Sequence, residues 1–254
     1  LKNQIEKYMD IRTPSAGALG PGARQLFVNW SVTGTNQVWR LNGPKAFPVQ
    51  MTGGEDATYL QMVSPNGEWA VVSRDSMGDE FYGIYLLSSK GGELKEVFKK
   101  SKVQAWAQSF SNNSRFLYYV ANDITPENYA VYRYDISQGV SEKLWDEPGI
   151  WRIGDYLNDE NLILVKHTGS MQNEHYYFNP KTKKLTPIIG QGVKEDFIVK
   201  FSSRPNEYLV LTDQLGEFRR LYKINKGELA PLTGDWDYNV ESFSINDQRT
   251  RLVY

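Results

Sequence analysis

A polar turn followed by an apolar run recurs six times along this chain, and that repeat limits the folds open to it more than any other feature. Gly20-Pro21-Gly22 precedes Leu26-Phe27-Val28, and Ser64-Pro65-Asn66-Gly67 precedes Trp69-Ala70-Val71-Val72. Ser111-Asn112-Asn113-Ser114 precedes Phe116-Leu117-Tyr118-Tyr119-Val120, and Leu157-Asn158-Asp159-Glu160-Asn161 precedes Leu162-Ile163-Leu164-Val165. Ser202-Ser203-Arg204-Pro205-Asn206 precedes Tyr208-Leu209-Val210-Leu211, and Ser244-Ile245-Asn246-Asp247 precedes Leu252-Val253-Tyr254. The turns start at positions 20, 64, 111, 157, 202 and 244, spaced by 44, 47, 46, 45 and 42 residues.

Each full copy adds a second apolar run, such as Ile84-Tyr85-Leu86-Leu87, and a shorter third, such as Lys95-Glu96-Val97-Phe98. A further run, such as Ala57-Thr58-Tyr59-Leu60-Gln61-Met62, leads into the next turn. One unit therefore reads as four short strands, and four strands at this period indicate a β-propeller blade. A lone four-stranded sheet has two faces to cover. Stacking blades covers both, which explains a non-alternating run such as Leu162-Ile163-Leu164-Val165. Each such side chain stabilises by roughly 1.5–3 kcal/mol on burial. Recurrence of the whole four-strand unit argues against a β-sandwich with regular turns.

The expected fold is all-β: a propeller of four-stranded antiparallel blades, five full and a sixth begun, with residues 239–254 supplying only its first two strands. Propellers close, typically with about four to eight blades. A blade stopped halfway exposes unpaired strand edges, so the natural protein is expected to continue past Tyr254. Otherwise the edge at Arg251–Tyr254 pairs with the segment Leu1–Arg12 or with another copy of the chain, a route to self-association. Residues 1–14 read as a segment leading into blade one, and residues 15–254 as the partial propeller. Within that leader, Gln4–Met9 fits either a short helix or a strand.

The 254 residues suit one large domain or two ordinary ones. With Lys+Arg 29 against Asp+Glu 30, charge gives no reason to expect nucleic acid or an anionic membrane as partner. No apolar run is long enough to span a bilayer. The chain has no cysteine, so it holds no disulfide or thiolate metal site. That favours a cytoplasmic location, the alternative being the periplasm after removal of a signal peptide, because the chain starts at Leu1 and not at Met.

Among propellers, the Trp-Asp repeat signature, the kelch glycine pairs and a recurring sialidase Asp-box are missing. Ser73-Arg74-Asp75-Ser76-Met77-Gly78 approaches the last of these once. The segments Ile11-Arg12-Thr13-Pro14-Ser15-Ala16-Gly17 and Phe27–Thr35, then Gln37-Val38-Trp39-Arg40-Leu41 and Phe47–Thr52, are followed by Ser64–Gly67 and Ser73–Glu80. Together they resemble the N-terminal propeller of the prolyl oligopeptidase family of serine peptidases, in its acylaminoacyl-peptidase and dipeptidyl-aminopeptidase branch. The resemblance is sharpest over the first two units. TolB-type propellers share the Ser-Pro-Asn-Gly turn, so the stretch from Ile11 to Thr52 carries more of it.

The resemblance implies a two-domain parent whose C-terminal α/β-hydrolase domain is covered by the propeller. The propeller would limit access to short peptides and help hold the substrate's N-terminus. No Gly-x-Ser-x-Gly nucleophile elbow occurs in this sequence, so no catalytic residue is assigned here, and no cofactor is expected. The alternative is a non-enzymatic TolB-like propeller that works through protein contacts.

Candidate site residues are few. Asp79 and Glu80 follow Asp75 in a loop between two strands. As a pair facing a cavity they would hold a peptide's amino group through charge-assisted hydrogen bonds. Alternatively they bond local backbone amides or a nearby Arg. His167 and His175 flank Thr168–Glu174, read as a hairpin loop. With no acidic cluster beside them they read as hairpin side chains and not as a metal or acid–base pair. Asn29-Trp30-Ser31 and Asn112-Asn113-Ser114 match the glycosylation sequon, the first inside an expected strand. Lys181-Thr182-Lys183-Lys184 reads as a solvated hairpin tip.

Overall fold

A computed structural model describes Ile5, Lys7, Tyr8 and residues 11–254. The described chain is all-β, and sequence neighbours pair antiparallel. Strands β1 (Ser15–Leu19), β2 (Leu26–Trp30), β3 (Gln37–Leu41) and β4 (Val49–Gln50) form the first sheet. Strands β5 (Thr58–Val63), β6 (Trp69–Arg74), β7 (Gly83–Ser88) and β8 (Lys95–Phe98) form the second. The third run is β9 (Ala105–Phe110), β10 (Phe116–Thr125), β11 (Asn128–Asp135) and β12 (Val140–Trp145). The fourth is β13 (Ile150–Asn158), β14 (Asn161–Gly169), β15 (Gln172–Asn179) and β16 (Lys184–Ile189). Strands β17 (Ile198–Phe201), β18 (Glu207–Thr212), β19 (Arg220–Asn225) and β20 (Glu228–Pro231) make the fifth, and β21 (Ser244–Ile245) pairs with β22 (Leu252–Val253). No sheet among the described residues closes on itself.

Two expectations differ from what is found. Tyr129 in β11 bridges Ile150 in β13 in parallel, where separate sheets are expected for successive repeats. The Tyr129 amide donates to the Gly149 carbonyl at 2.9 Å, and Gly149 donates back to the Asn128 side chain at 2.6 Å. The hairpin read as a loop over Thr168–Glu174 is mostly strand. Pairs Lys166–Glu174, His167–Asn173 and Gly169–Gln172 leave a two-residue turn, with Met171 at φ +54°. At the N-terminus, Ile5, Lys7 and Tyr8 have helical backbone, and the rest of the Gln4–Met9 stretch lies outside the described residues. No helix among the described residues is long and apolar enough to cross a membrane.

The turns repeat in atomic detail because their residues do. Gly67 donates to the Ser64 carbonyl at 2.8 Å while the Ser64 hydroxyl meets Asn66 and accepts from Trp69. The next repeat matches: Ser114 donates to Ser111, whose hydroxyl meets Asn113 and accepts from Phe116. These bonds satisfy turn backbone that no ladder reaches. The position holding Gly67 at φ +72° holds Ser114 at φ +59° one repeat later. The turns also touch each other: Asn66 donates its amide to the Ser114 hydroxyl at 3.0 Å.

The chain divides into two compact units, Leu1–Pro126 with Tyr132–Glu142, and Glu127–Val131 with Lys143–Tyr254. In the first, Phe27 and Val38 of the first sheet pack on Leu60, Ala70, Val72 and Leu87 of the second. In the second unit, Ile163 packs with Phe197, Val199, Phe201, Val210 and Ile224. Leu209, Leu211 and Leu221 bury against Val240 and Phe243 on the opposite face. Strand β18 is thus covered on both sides, the physical reason that Leu209-Val210-Leu211 does not alternate.

Candidate functional site

The most chemically distinctive surface lies in the first unit, where β5, β9 and the loop after β6 meet. Strand alternation buries Thr58 and Leu60 and leaves Tyr59 and Gln61 on the open face of β5. Tyr59 is 37% exposed and Trp106 of β9 is 39% exposed. The Tyr82 ring stands 6.1 Å from each, edge-on to Tyr59 at 74° and tilted 34° to Trp106. With Asn29, Gln61 and Ser73 these rings line a concavity of about 350 Å³. Its amide and aliphatic hydroxyl side chains are already engaged. Asn29 accepts from the Leu60 amide at 2.8 Å, and Gln61 donates to the Ser73 hydroxyl at 2.9 Å.

The loop that carries Tyr82 also carries the acidic residues. The Asp79 carboxylate accepts from the backbone amides of Ser76 at 3.2 Å and Phe81 at 3.0 Å, both on Oδ1. Its Oδ2 stands 3.9 Å from the Lys99 ammonium. The Ser76 amide chiefly, with Phe81 and Lys99 adding to it, holds the Asp79 carboxyl below its ordinary range. Asp79 therefore organises its own loop. Glu80 takes a left-handed backbone at φ +59°, and its carbonyl accepts from Gln104 at 2.8 Å. Its side chain is exposed. Asp75 is buried beside them. Burial first, then Asp75, Tyr59, Glu80 and Asp79, push the Tyr82 phenol above its usual value, so the carboxylates act on this aromatic corner.

His175, in the second unit, is 2% exposed, and its Nδ1 has no partner within the described protein. Burial, with His167 second, lowers it to about 3. Burial and Arg152 lower His167 as well. The two lie on adjacent strands, His175 opposite Val165 and His167 opposite Asn173. No group of three or more His, Cys, Asp or Glu among the described residues is placed to hold a metal ion. Asn29 is buried inside β2, while Asn112 sits exposed in its turn. Lys181 at its hairpin tip pairs with Glu160 at 2.5 Å.

Two further concavities in the second unit, of about 280 and 400 Å³, share Arg249 in their walls. That guanidinium is committed to structure. It grips Asp155 through two bonds, at 2.6 and 3.0 Å, and donates to the carbonyls of Tyr156 and Phe201. Asp155 also accepts from the Phe201 amide at 2.8 Å.

Sequence reasoning passed over the aromatic corner. One signal pointed to it: Tyr59 and Trp106 stand 47 residues apart, the same step as the turns at 64 and 111, so they hold equivalent positions in successive repeats.

No protein-family model and no curated protein matches the chain. Solved structures do. A prolyl endopeptidase, from a study of inter-domain dynamics in catalysis and specificity, superposes with a TM-score of 0.67 at 13% identity over 86% of this chain. The chain spans 35% of that endopeptidase's length. A protein described as TolB from Agrobacterium tumefaciens gives 0.58 at 17% identity, over 87% of this chain and 81% of its own. TolB from Acinetobacter baumannii gives 0.52 at 13% identity, over 85% and 52%. At such identities the likeness establishes the fold, a β-propeller, and leaves the activity open.

Proposed function

We propose that this chain is the non-catalytic propeller of a prolyl-oligopeptidase-type serine peptidase, controlling which peptides reach a hydrolase domain outside residues 1–254. In this reading the five four-stranded runs are blades, β21 and β22 begin a sixth, and residues 1–14 lead into the first. The observation that carries it is the superposition on the prolyl endopeptidase, which takes in 86% of this chain and only 35% of the peptidase. A propeller in that place needs no nucleophile of its own, in keeping with the lack of a Gly-x-Ser-x-Gly elbow in the sequence. Short peptides are the substrates in this reading, with Asp79 and Glu80 contributing negative charge near the aromatic corner. The acylaminoacyl-peptidase and dipeptidyl-aminopeptidase branch, and a cytoplasmic location, belong to the same proposal.

A second reading, a TolB-like propeller acting through protein contacts, is favoured by the 81% of the Agrobacterium protein that the superposition covers. Reading the gene past the Tyr254 codon separates the two. A Gly-x-Ser-x-Gly elbow about one domain downstream is the expected result. A stop codon after one or two more four-strand units would overturn the peptidase reading in favour of the second.

A further inference from the structure

We infer that the concavity formed by Tyr59, Tyr82 and Trp106 is a binding site for an alkylammonium group, held by the faces of the three rings. The inference goes beyond the peptidase reading and does not depend on it.

Shape and charge point the same way. Three aromatic rings line one open concavity, two of them more than a third exposed, and a cation is drawn to aromatic faces by their quadrupoles. The volume of about 350 Å³ lies within the usual range for small ligands, roughly 300–1,000 Å³. Asp75, Asp79 and Glu80 belong to the loop that carries Tyr82, which places negative charge beside the corner, part of it answered by Lys99 at 3.9 Å from Asp79. The polar side chains of the floor are neutral, and two of them are bonded to each other, so nothing in the lining offers a charge to a carboxylate or phosphate.

No cation of the described protein already fills the corner. Elsewhere Lys95 sits over Tyr134, Arg115 and Arg133 over Phe116, and Lys166 over Trp151. None sits over Tyr59, Tyr82 or Trp106 in the same way. The neighbouring cations are engaged: Lys99 donates to the Phe81 carbonyl at 2.5 Å, and Arg74 to Thr58 and Gly53. The protein thus uses cation–π contacts repeatedly and leaves its acid-flanked aromatic corner to an outside ligand.

Such a group can come from a free small amine or from a lysine side chain of a peptide. Calorimetric titration of the 254-residue protein tests both, with choline, with an N-acetylated lysine amide, and with 3,3-dimethylbutan-1-ol, the uncharged isostere of choline. Saturable binding of choline or of the lysine derivative is expected, with a dissociation constant on the order of millimolar and affinity at least about tenfold above the isostere. Which of the two binds identifies the source. Trp106→Ala and Tyr82→Ala should each weaken binding roughly fivefold, while Tyr59→Phe, which keeps the ring face, should stay within about twofold. Circular dichroism confirms that each variant is folded, and having two alanine variants guards against one that is not. Equal affinity for the isostere, no saturable binding of either amine, or unchanged affinity in folded Trp106→Ala and Tyr82→Ala would overturn the inference.

Discussion

Acidification should loosen the sheet of β13–β16 well before its carboxylates titrate, and His175 should be the main cause. Its imidazole is buried, with Nδ1 unpartnered within the described protein, and it is held down to about 3. In the unfolded chain it titrates near the ordinary value of about 6.5. Between those values the unfolded state binds the extra proton, so stability falls as pH falls. The contribution of the neutral imidazole is complete above about pH 6.5 and is lost progressively below it, at up to about 1.4 kcal/mol per pH unit. By about pH 5 the loss from this group reaches roughly 2 kcal/mol, and His167, lowered in the same direction, adds to it. His175→Leu removes the titration and the unpartnered nitrogen, so at neutral pH it should be neutral or slightly stabilising. Hydrogen exchange of the amides in residues 172–178, followed from about pH 7 to 5 and corrected for the intrinsic pH dependence of exchange, reads the opening free energy of this sheet directly. The native protein should lose protection on acidification, and His175→Leu should lose much less. Equal losses in the two proteins would refute the reasoning.

Three other outcomes follow from named contacts. In Gly67→Ala the new Cβ would lie 2.6 Å from Pro21 Cδ at a backbone φ of +72°, so urea denaturation should show a loss of more than about 1 kcal/mol. Pairing it with Pro21→Ala should recover the part due to the clash. Arg249→Ala strands Asp155, with side chains only 11% and 10% exposed, and should cost about 3–5 kcal/mol, whereas Arg249→Met with Asp155→Leu should restore most of it by equilibrium unfolding. The 254-residue chain should give only background rates on aminoacyl and N-acetyl-aminoacyl chromogenic substrates. Turnover that titrates with a serine-directed phosphonate would contradict its reading as non-catalytic.

The parts of the fold that were legible in the sequence are those set by local chemistry. Ser64-Pro65-Asn66-Gly67 and Ser111-Asn112-Asn113-Ser114 announce their turns because hydroxyl and amide side chains accept from backbone two to five residues away. Leu209-Val210-Leu211 announces burial on both faces because an alternating strand would have exposed Val210. What stayed hidden depends on long-range geometry. The polar residues of Thr168–Glu174 read as loop, yet pairing between β14 and β15 outweighs their weak strand preference. Asp155 and Arg249 lie 94 residues apart and meet only in the folded chain. The Tyr59–Tyr82–Trp106 corner draws on two repeats and a loop, and a reading of one repeat at a time does not bring those rings together. For Asp79 the alternative read from the sequence, bonding to local backbone amides, is the one found, with Ser76 and Phe81 as donors.

The proposal that this propeller governs peptide access to a serine hydrolase is tested most directly on the protein encoded by the whole gene. It should be incubated with a graded series of peptides sharing one cleavage site, from dipeptide derivatives to a folded protein, with and without a serine-directed phosphonate. The account predicts phosphonate-sensitive cleavage of the short peptides and none of the folded protein. Absence of any phosphonate-sensitive hydrolysis, or equal cleavage of short peptides and folded protein, would contradict it.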